Sequence, residues 1–170
     1  SSGDAIDGGD GTDTLNLSTI AAIGAAAGQR LSNFERLDLD MATLGGDVTI
    51  DLASLINNSA FDRITIGDTN DNVVTVSNVL DAFSDLRLDG SDTTNNDSEA
   101  IVTRLVDTST NSMTLTINGG ETFKTLTMAN EETINIASDA ATAATITTLN
   151  AGDLTTLNLT GSGNVIITNA

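Results

Sequence analysis

Apolar and polar residues alternate along most of the chain, a period-two pattern that predicts β-strands with one buried face. The second half shows the pattern most continuously, in Thr-rich segments that start roughly every 10 to 12 residues. The segments are MTLTI, FKTLTM, TINI, ATITTLN, LTTLNL and NVIIT. Such spacing is typical of a meander, of a β-sandwich, or of a solenoid with two strands in each coil.

The first half repeats a longer unit: a strand, a short helix-like stretch, a phenylalanine and a second alternating strand. Phe34, Phe61 and Phe83 mark the three copies, and they recur at a period typical of solenoid coils. Apolar residues between the strands lie at helical spacing, and we expect them to form short helices over the end of the core. These residues are Leu52, Leu55 and Ile56 in one copy, and Val79, Leu80 and Phe83 in the next.

The fold class that these patterns predict is all-β. We expect a parallel β-helix or β-roll-like solenoid with short helical inserts. For the second half, β-sandwich or meander strands are the alternative to a continued solenoid. The interior must be aliphatic, because the chain has no Trp or Tyr and only four Phe.

Glycine and aspartate are concentrated in the segment GGDGTDTLN, residues 8–16. It matches the nonapeptide G-G-x-G-x-D-x-U-x at every specified position. The glycines allow tight backbone turns that direct several carbonyl oxygens toward one place, and Asp13 adds a carboxylate. Calcium accepts about six to eight such oxygens, whereas transition metals favour His or Cys, and the chain has neither. The segment therefore predicts a Ca²⁺ site.

A second, partial nonapeptide precedes the first. Asp4 lies nine residues before Asp13, so Ser2–Asp7 is the tail of a preceding copy in the same register. On these residues the chain resembles the RTX family, the calcium-binding repeat proteins exported by type I secretion, in which each nonapeptide is a half-turn of a parallel β-roll. In that family the calcium ion is shared with the half-turn two repeats away. Here the corresponding position is Ala22, so the site is completed by residues before Ser1, by a distant loop, or not at all.

In composition and strand pattern, the chain resembles bacterial surface-layer proteins and large RTX adhesins. The resemblance runs from the nonapeptide through NFERLDLD to LTTLNLTGSGNVIIT. In the surface-layer proteins, β-solenoid and β-sandwich segments bind calcium and assemble into a lattice around the cell. The resemblance implies a secreted structural module on the extracellular cell surface. Its expected partners are copies of itself and outer-membrane polysaccharide. The alternative is a calcium-stabilised module of a large RTX adhesin that binds a surface or a glycan.

Acidic residues divide the chain into regions of different character. Of 24 carboxylates, 19 lie in residues 1–110 and 5 in residues 111–170. We therefore divide the chain into a partial nonapeptide turn at residues 1–16, an acidic strand-helix-strand repeat region at residues 17–110, and a Thr-rich β-strand region at residues 111–170. Because the chain begins inside a repeat, we expect it to be a fragment of a longer protein.

The net charge of −18 argues against binding to nucleic acid and to anionic membrane surfaces, since both require a positive patch. No run of 18 apolar residues is present, and we expect no insertion into a membrane. The absence of cysteine means that the fold uses no disulfides.

Two further acidic loops, IGDTNDN and LDGSDTTNNDSE, offer carboxylates for additional calcium ions. Neither has the frame of an EF-hand, and a solvated polar turn is the alternative for each. The candidate metal ligands are Asp4, Asp7, Gly8, Gly9, Asp10, Gly11, Asp13, Asp68, Asp71, Asp89, Asp92 and Asp97.

We expect no enzymatic activity. Parallel β-helices include polysaccharide lyases, and paired carboxylates can hydrolyse glycosides. However, the chain lacks His, Cys, Tyr and Trp and has one lysine, Lys124, so the usual bases, nucleophiles and sugar-stacking platforms are missing. Thr114 and Thr116 fit an ice-binding ladder, but outward threonine is ordinary on a sheet. The shortage of aromatic residues favours a structural protein over an adhesin.

Overall fold

From residue 36 onward, successive strands alternate between two parallel sheets that enclose an aliphatic interior, so the protein is a parallel β-solenoid. The structure is a computed structural model. It describes residues 5–17, 30–39, 46–55, 61–67, 69, 72–89, 98–117, 122–138 and 143–170. The predicted fold class is confirmed.

Fifteen strands lie within the described ranges, and they are numbered in chain order. A short parallel pair is formed by β1 (Ile6–Asp7) and β3 (Leu31–Ser32). The first sheet contains β2 (Thr14–Asn16), β4 (Arg36–Leu39), β6 (Arg63–Ile66), β8 (Asp85–Leu88), β10 (Ser112–Ile117), β12 (Thr133–Ser138) and β14 (Thr156–Thr160). The second sheet contains β5 (Val48–Asp51), β7 (Val73–Val79), β9 (Glu99–Arg104), β11 (Thr122–Thr127), β13 (Ala144–Asn150) and β15 (Val165–Asn169).

Inward-facing residues stack into columns, because the parallel register places equivalent positions of consecutive coils side by side. One column of the first sheet is completely buried through five coils. It consists of Leu37, Ile64, Leu86, Leu115 and Ile136. Burying one such side chain stabilises the fold by about 1.5–3 kcal/mol. These columns are therefore the main source of stability in a chain without disulfides.

The phenylalanine repeat marks the coils, as predicted. The register pairs Arg36 with Arg63 and Arg63 with Asp85, and these three residues begin β4, β6 and β8. Each of them lies two residues after a phenylalanine, namely Phe34, Phe61 or Phe83. All three phenylalanine side chains are buried. The step from one phenylalanine to the next is thus the same as the step from one coil to the next.

Helical inserts are nearly absent from the described residues. Leu52–Ser54 form one 3₁₀ turn after β5, and Ile56 lies outside the described ranges. No helix forms around Val79, which is the last residue of β7. A tight turn follows, closed by a 3.0 Å hydrogen bond from the N–H of Phe83 to the carbonyl of Leu80. Only five residues separate β7 from β8, too few for a helix of more than about one turn.

The Thr-rich half continues the same solenoid, and in the described residues it forms neither a sandwich nor a meander. β8 pairs with β10 and β9 pairs with β11, both in parallel. All six Thr-rich segments predicted as strands coincide with β10 to β15. Within the described part of the chain, no helix is long and apolar enough to cross a membrane.

Candidate metal sites

Residues 8–13 of the nonapeptide form the loop between β1 and β2, and the backbone of this loop requires glycine. A Cβ on Gly8 would lie 2.1 Å from the carbonyl oxygen of Asn33 and 2.9 Å from the Cβ of Asp13. Gly9 and Gly11 have φ angles of 87° and 127°, in the region that residues with a Cβ rarely adopt. The loop therefore turns tightly and brings Asp13 to the start of β2.

Asp7 and Asp13 stand at the two ends of this loop in different environments. The Asp7 carboxylate accepts hydrogen bonds from Asn33 Nδ2 at 2.7 Å and from the Gly9 N–H at 3.0 Å. These bonds hold the loop closed and attach it to the next coil. By contrast, Oδ2 of Asp13 is buried and has no hydrogen-bond partner. Burial of a charged oxygen without a partner is unfavourable, so a cation would be stabilised at this atom.

Two nonapeptide repeats span about 18 residues. The coil that stacks on this nonapeptide lies further along the chain, 22 residues away. Thr14 pairs with Arg36, which sets Glu35 beside Asp13. The N–H of Asp13 donates to Glu35 Oε2 at 2.9 Å, and the N–H of Glu35 donates to the Asp13 carbonyl at 3.2 Å. The acidic neighbour of Asp13 is therefore Glu35, a residue that the nonapeptide spacing does not identify, while Ala22 lies outside the described residues.

The other predicted ligands are not brought together within the described ranges. Asp10 is exposed in the glycine loop, and Asp89 is exposed just after β8. In the described part of the chain, neither belongs to a group of three acidic side chains close enough to share one ion. Five predicted ligands lie outside the described residues: Asp4, Asp68, Asp71, Asp92 and Asp97.

A second acidic site, not predicted from the sequence, lies at a corner of the later coils. Carboxylate oxygens of Asp107, Glu132 and Asp153 all lie within 4.8 Å of one another. Asp107 and Asp153 are exposed and Glu132 is half-buried. Because like charges at this distance repel, the arrangement favours a bound cation. We call these three residues the acidic corner.

Backbone hydrogen bonds fix the position of Glu132 in the acidic corner. The N–H groups of Glu132 and Thr133 both donate to the Asn111 carbonyl at 3.1 Å. The Glu132 carbonyl in turn accepts the N–H groups of Thr155 and Thr156 at 2.9 Å. Oε2 of Glu132 is buried and has no hydrogen-bond partner. Three consecutive coils are therefore joined where their carboxylates converge.

The loop that carries Asp107 is held by the same asparagine. Oδ1 of Asn111, a buried residue, accepts hydrogen bonds from both the N–H and the hydroxyl of Thr108 at 2.6 Å. On the other side, the N–H of Asp153 donates to the Ala129 carbonyl at 3.2 Å. The Asp107 loop is thus held by a side chain of its own loop, and Asp153 is held by a backbone contact with the adjacent coil.

A buried ion pair lies next to the acidic corner. Arg104 Nε and Nη2 donate to the two carboxylate oxygens of Glu131 at 2.6 and 3.0 Å, and both side chains are almost completely buried. Arg104 also donates to the carbonyls of Leu80, Phe83 and Ser112 at 2.9–3.0 Å. One guanidinium therefore joins three coils beside the turn that carries Phe83.

The environment of Glu131 perturbs its ionisation. Burial raises the pKa of Glu131 above its usual value, and the hydrogen bonds and charge of Arg104 offset part of that increase. Glu132 and Asp107 raise the pKa further through charge repulsion. The pair is therefore electrostatically linked to the acidic corner.

Both candidate sites offer only oxygen ligands, which suit a hard cation. Asp107, Glu132 and Asp153 are spaced by about one coil length. This spacing is the feature of the sequence from which the site could have been predicted. It is hidden because the offset between paired strands differs from one coil to the next: Asp85 pairs with Thr114, whereas Ser112 pairs with Thr133. The structural class defined so far is a parallel β-solenoid in which carboxylates of three successive coils converge at the acidic corner. No protein-family model, curated protein or solved structure matches the chain.

Proposed function

We propose that the protein is a structural calcium-binding module of a bacterial cell-surface layer, which assembles with copies of itself into an extracellular lattice. The observation that carries the proposal is that acidic residues of successive coils lie together at two places along the turns that lead into the first sheet. Glu35 accepts the N–H of Asp13 just before β4 and β2, and Asp107, Glu132 and Asp153 converge among the later coils, before β10, β12 and β14. At each place one buried carboxylate oxygen, Oδ2 of Asp13 or Oε2 of Glu132, lacks a hydrogen-bond partner.

Calcium is the cation that these sites fit best. It accepts carboxylate and carbonyl oxygens in flexible geometry, whereas magnesium demands a near-ideal octahedron. The Asp13 site supplies carboxylates and a glycine-rich backbone, and the acidic corner supplies three carboxylates on different coils. Sites of mixed, partly exposed ligands are suited to the millimolar calcium outside cells. Ions at these places would join coils that are distant in the sequence.

The chain's surface supports a structural function in preference to glycan binding. All four aromatic residues are buried: Phe34, Phe61, Phe83 and Phe123. The outer surface therefore offers no aromatic ring on which a sugar could stack. The chain also has no His or Cys, and we propose no reaction for it.

Calcium would also control self-association. A net charge of −18 keeps separate copies apart through repulsion. Bound calcium lowers this repulsion and can bridge carboxylates of neighbouring copies. Type I export and a position on the cell surface belong to the same proposal and follow the resemblance of the nonapeptide to RTX repeats.

The test is sedimentation velocity and negative-stain microscopy of the chain across calcium concentrations from chelator to about 10 mM, which spans the weak extracellular range. We expect monomers in chelator and ordered arrays or larger assemblies in calcium, reversed by chelator. Magnesium at the same concentrations is the matched control and should be much less effective. Monomers at every calcium concentration would contradict the proposal, and tight glycan binding by those monomers would favour the adhesin.

A further inference from the structure

Three of the six basic residues of the chain lie together on the outer face of the first sheet. They are Arg36 in β4, Arg63 in β6 and Arg87 in β8, on three neighbouring strands. Each occupies an outward position, since the alternate residues of these strands are completely buried. The register sets Arg63 beside Arg36, and it sets Thr65, two residues after Arg63, beside Arg87. We call this group of three arginines the arginine face.

Two members of the arginine face have no counterion. In the described part of the chain, no hydrogen bond or ion pair involves the side chain of Arg36 or Arg87. Nε of each is buried without a hydrogen-bond partner, and both side chains are half-buried. A partly desolvated charge without a partner is unfavourable. An anion brought to this face from outside would therefore be stabilised.

The carboxylates on the same outer face already have partners. Asp85 accepts Nε of Arg63 at 2.6 Å, and Asp38 accepts Nδ2 of Asn16 at 3.2 Å. Three arginines against these two aspartates leave one net positive charge on the face, whereas the whole chain has a net charge of −18. The arginine face is thus a local exception on an acidic protein, and it is complementary to the rest of its surface.

We propose that the arginine face binds carboxylates of a second copy of this chain, with Arg36 and Arg87 as the residues that hold them. This inference rests on the proposed self-association and specifies one surface that takes part in it. The strands that carry the face are flanked on both sides by further strands of the first sheet. The face is therefore an outer surface of internal coils.

A carboxylate is the group that fits these arginines. A guanidinium offers a planar fork of N–H donors that matches the two oxygens of a carboxylate, and such paired hydrogen bonds fix the geometry as well as the energy. Neighbouring strands lie about 4.8 Å apart, so the arginine positions recur at the spacing of the coils. The best partner presents carboxylates at the same interval.

A second solenoid presents carboxylates at that interval. In the turns that lead into the first sheet, Glu35 and Asp62 belong to consecutive coils, and the N–H of Asp62 donates to the Glu35 carbonyl at 2.9 Å. Asp62 is exposed and Glu35 is half-buried. A rigid row of acidic residues on one copy therefore has the same repeat distance as the row of arginines on another.

This contact complements calcium in the assembly. Calcium lowers the general repulsion between acidic copies, but it can bridge any two acidic surfaces. Complementary charges across an interface favour the correct pairing and disfavour like-charged alternatives. The arginine face would therefore determine which surfaces meet, while calcium determines whether copies approach each other at all.

An acidic polysaccharide offers the same carboxylate chemistry, but the extent of the face favours the second copy. A long polyanion is bound best by positive charge that continues along its path. The arginine face ends after three strands, because Asp85 and Arg87 pair with the neutral residues Thr114 and Thr116 of β10. A discrete patch suits a few carboxylates on a folded partner.

Carbodiimide cross-linking tests the contact directly, because it joins lysine amines to carboxylates without a spacer and the chain has one lysine, Lys124. In a Lys124→Arg background, Arg36→Lys and Arg87→Lys keep the charge of the face and should each give covalent dimers in calcium. Peptide mass spectrometry of mixed isotope-labelled and unlabelled copies should locate the new lysine on a carboxylate of the other copy. Thr145→Lys, at an outward position of β13 in the second sheet, is the matched control and should give about tenfold less dimer.

Removal of the charge provides the second arm. The double variant Arg36→Gln, Arg87→Gln should lower the apparent association constant in calcium about tenfold or more, since charge-assisted contacts are lost. Its circular dichroism spectrum and calcium stoichiometry should equal those of the wild type, because both side chains lie on the outer face. Lys124→Gln is the control, since it removes a positive charge from the second sheet, and it should assemble like the wild type.

The outcomes separate this inference from the proposed function. Calcium-dependent assembly with equal association of the double variant and no dimers from the lysine variants would overturn the arginine face as a contact and leave the proposed function intact. Equal dimer yields from Thr145→Lys and Arg36→Lys would also overturn it. Arginine-dependent binding of alginate, a polymer of uronic acids, by monomers would replace the second copy with an acidic polysaccharide. Monomeric wild type at every calcium concentration would overturn both proposals.

Discussion

The acidic coils before residue 111 and the Thr-rich coils after it share one interior but present different outer columns. The inward column remains aliphatic and completely buried from Leu37 to Ile136. The outward column beside it changes from charged to neutral residues: Arg36, Arg63, Asp85, then Thr114, Asn135 and Asn158. Inward positions therefore determine the fold, and outward positions are free to determine charge and binding.

The corner that joins the two regions is an exception to this rule, because a charged pair is buried there. Arg104 belongs to the acidic region and Glu131 to the Thr-rich region, and their ion pair is nearly inaccessible to solvent. Arg104→Met should destabilise the protein by about 3–5 kcal/mol, since it leaves Glu131 buried without its partner. Urea unfolding with circular dichroism measures this loss.

A more exposed pair supplies the control. Arg63 and Asp85 are 2.6 Å apart with about a quarter of each side chain exposed, and Arg63→Met should cost roughly 0–1 kcal/mol. Equal losses for Arg63→Met and Arg104→Met would mean that the buried pair does not hold the two regions together.

Truncation of the shared inward column should affect both regions alike. Leu86 in the acidic region pairs with Leu115 in the Thr-rich region, and both are completely buried. Leu86→Ala and Leu115→Ala should each destabilise the protein by about 2–5 kcal/mol, from lost burial and the cavity that remains. Urea unfolding again gives the values. A large loss in one variant and almost none in the other would show that the regions do not share one interior.

The pH dependence of stability should reveal Glu131. Because its folded pKa is raised, the folded state binds this proton more tightly than the unfolded state. Ionisation of Glu131 therefore opposes folding, and stability gained from its protonation is fully present below the usual pKa and is lost as pH rises through the raised value. In chelator, Glu131→Gln should show less loss of thermal stability than the wild type as the pH rises from about 4.5.

Chelator is essential in that experiment, since calcium affinity itself falls when ligand carboxylates become protonated. Glu99→Gln is a suitable control, because Glu99 forms a partly exposed pair with Lys124 at 2.9 Å. A pH profile of Glu131→Gln that coincides with the wild type would contradict the assignment.

Much of the fold was predictable because period-two alternation survives at inward positions. The predicted strand ATITTLN coincides residue for residue with β13, and the phenylalanine spacing matches the coil length. The helix expected around Val79 was wrong, because the apolar residues there end a strand and line a tight turn. Helical spacing over so short a segment does not distinguish a turn from a helix.

The acidic corner and the buried ion pair were not predicted, for different reasons. Asp107, Glu132 and Asp153 come together only once the register is known, and coils of unequal length conceal it. The burial of Arg104, by contrast, could have been predicted, because Arg104 alternates in step with Ala100 and Val102 and so lies on the inward face of β9. An arginine in an inward phase requires a buried acceptor, and that acceptor is Glu131.

The central claim is that the protein binds calcium at two separate places, the Asp13 site and the acidic corner. Isothermal titration of calcium into the wild type, Asp13→Asn, Glu132→Gln and the double variant tests it most directly, with Asp81→Asn at an exposed turn as the control. We predict that each single variant loses one site, that the double variant loses two, and that Asp81→Asn keeps the wild-type stoichiometry. The same stoichiometry in all five proteins would contradict the claim.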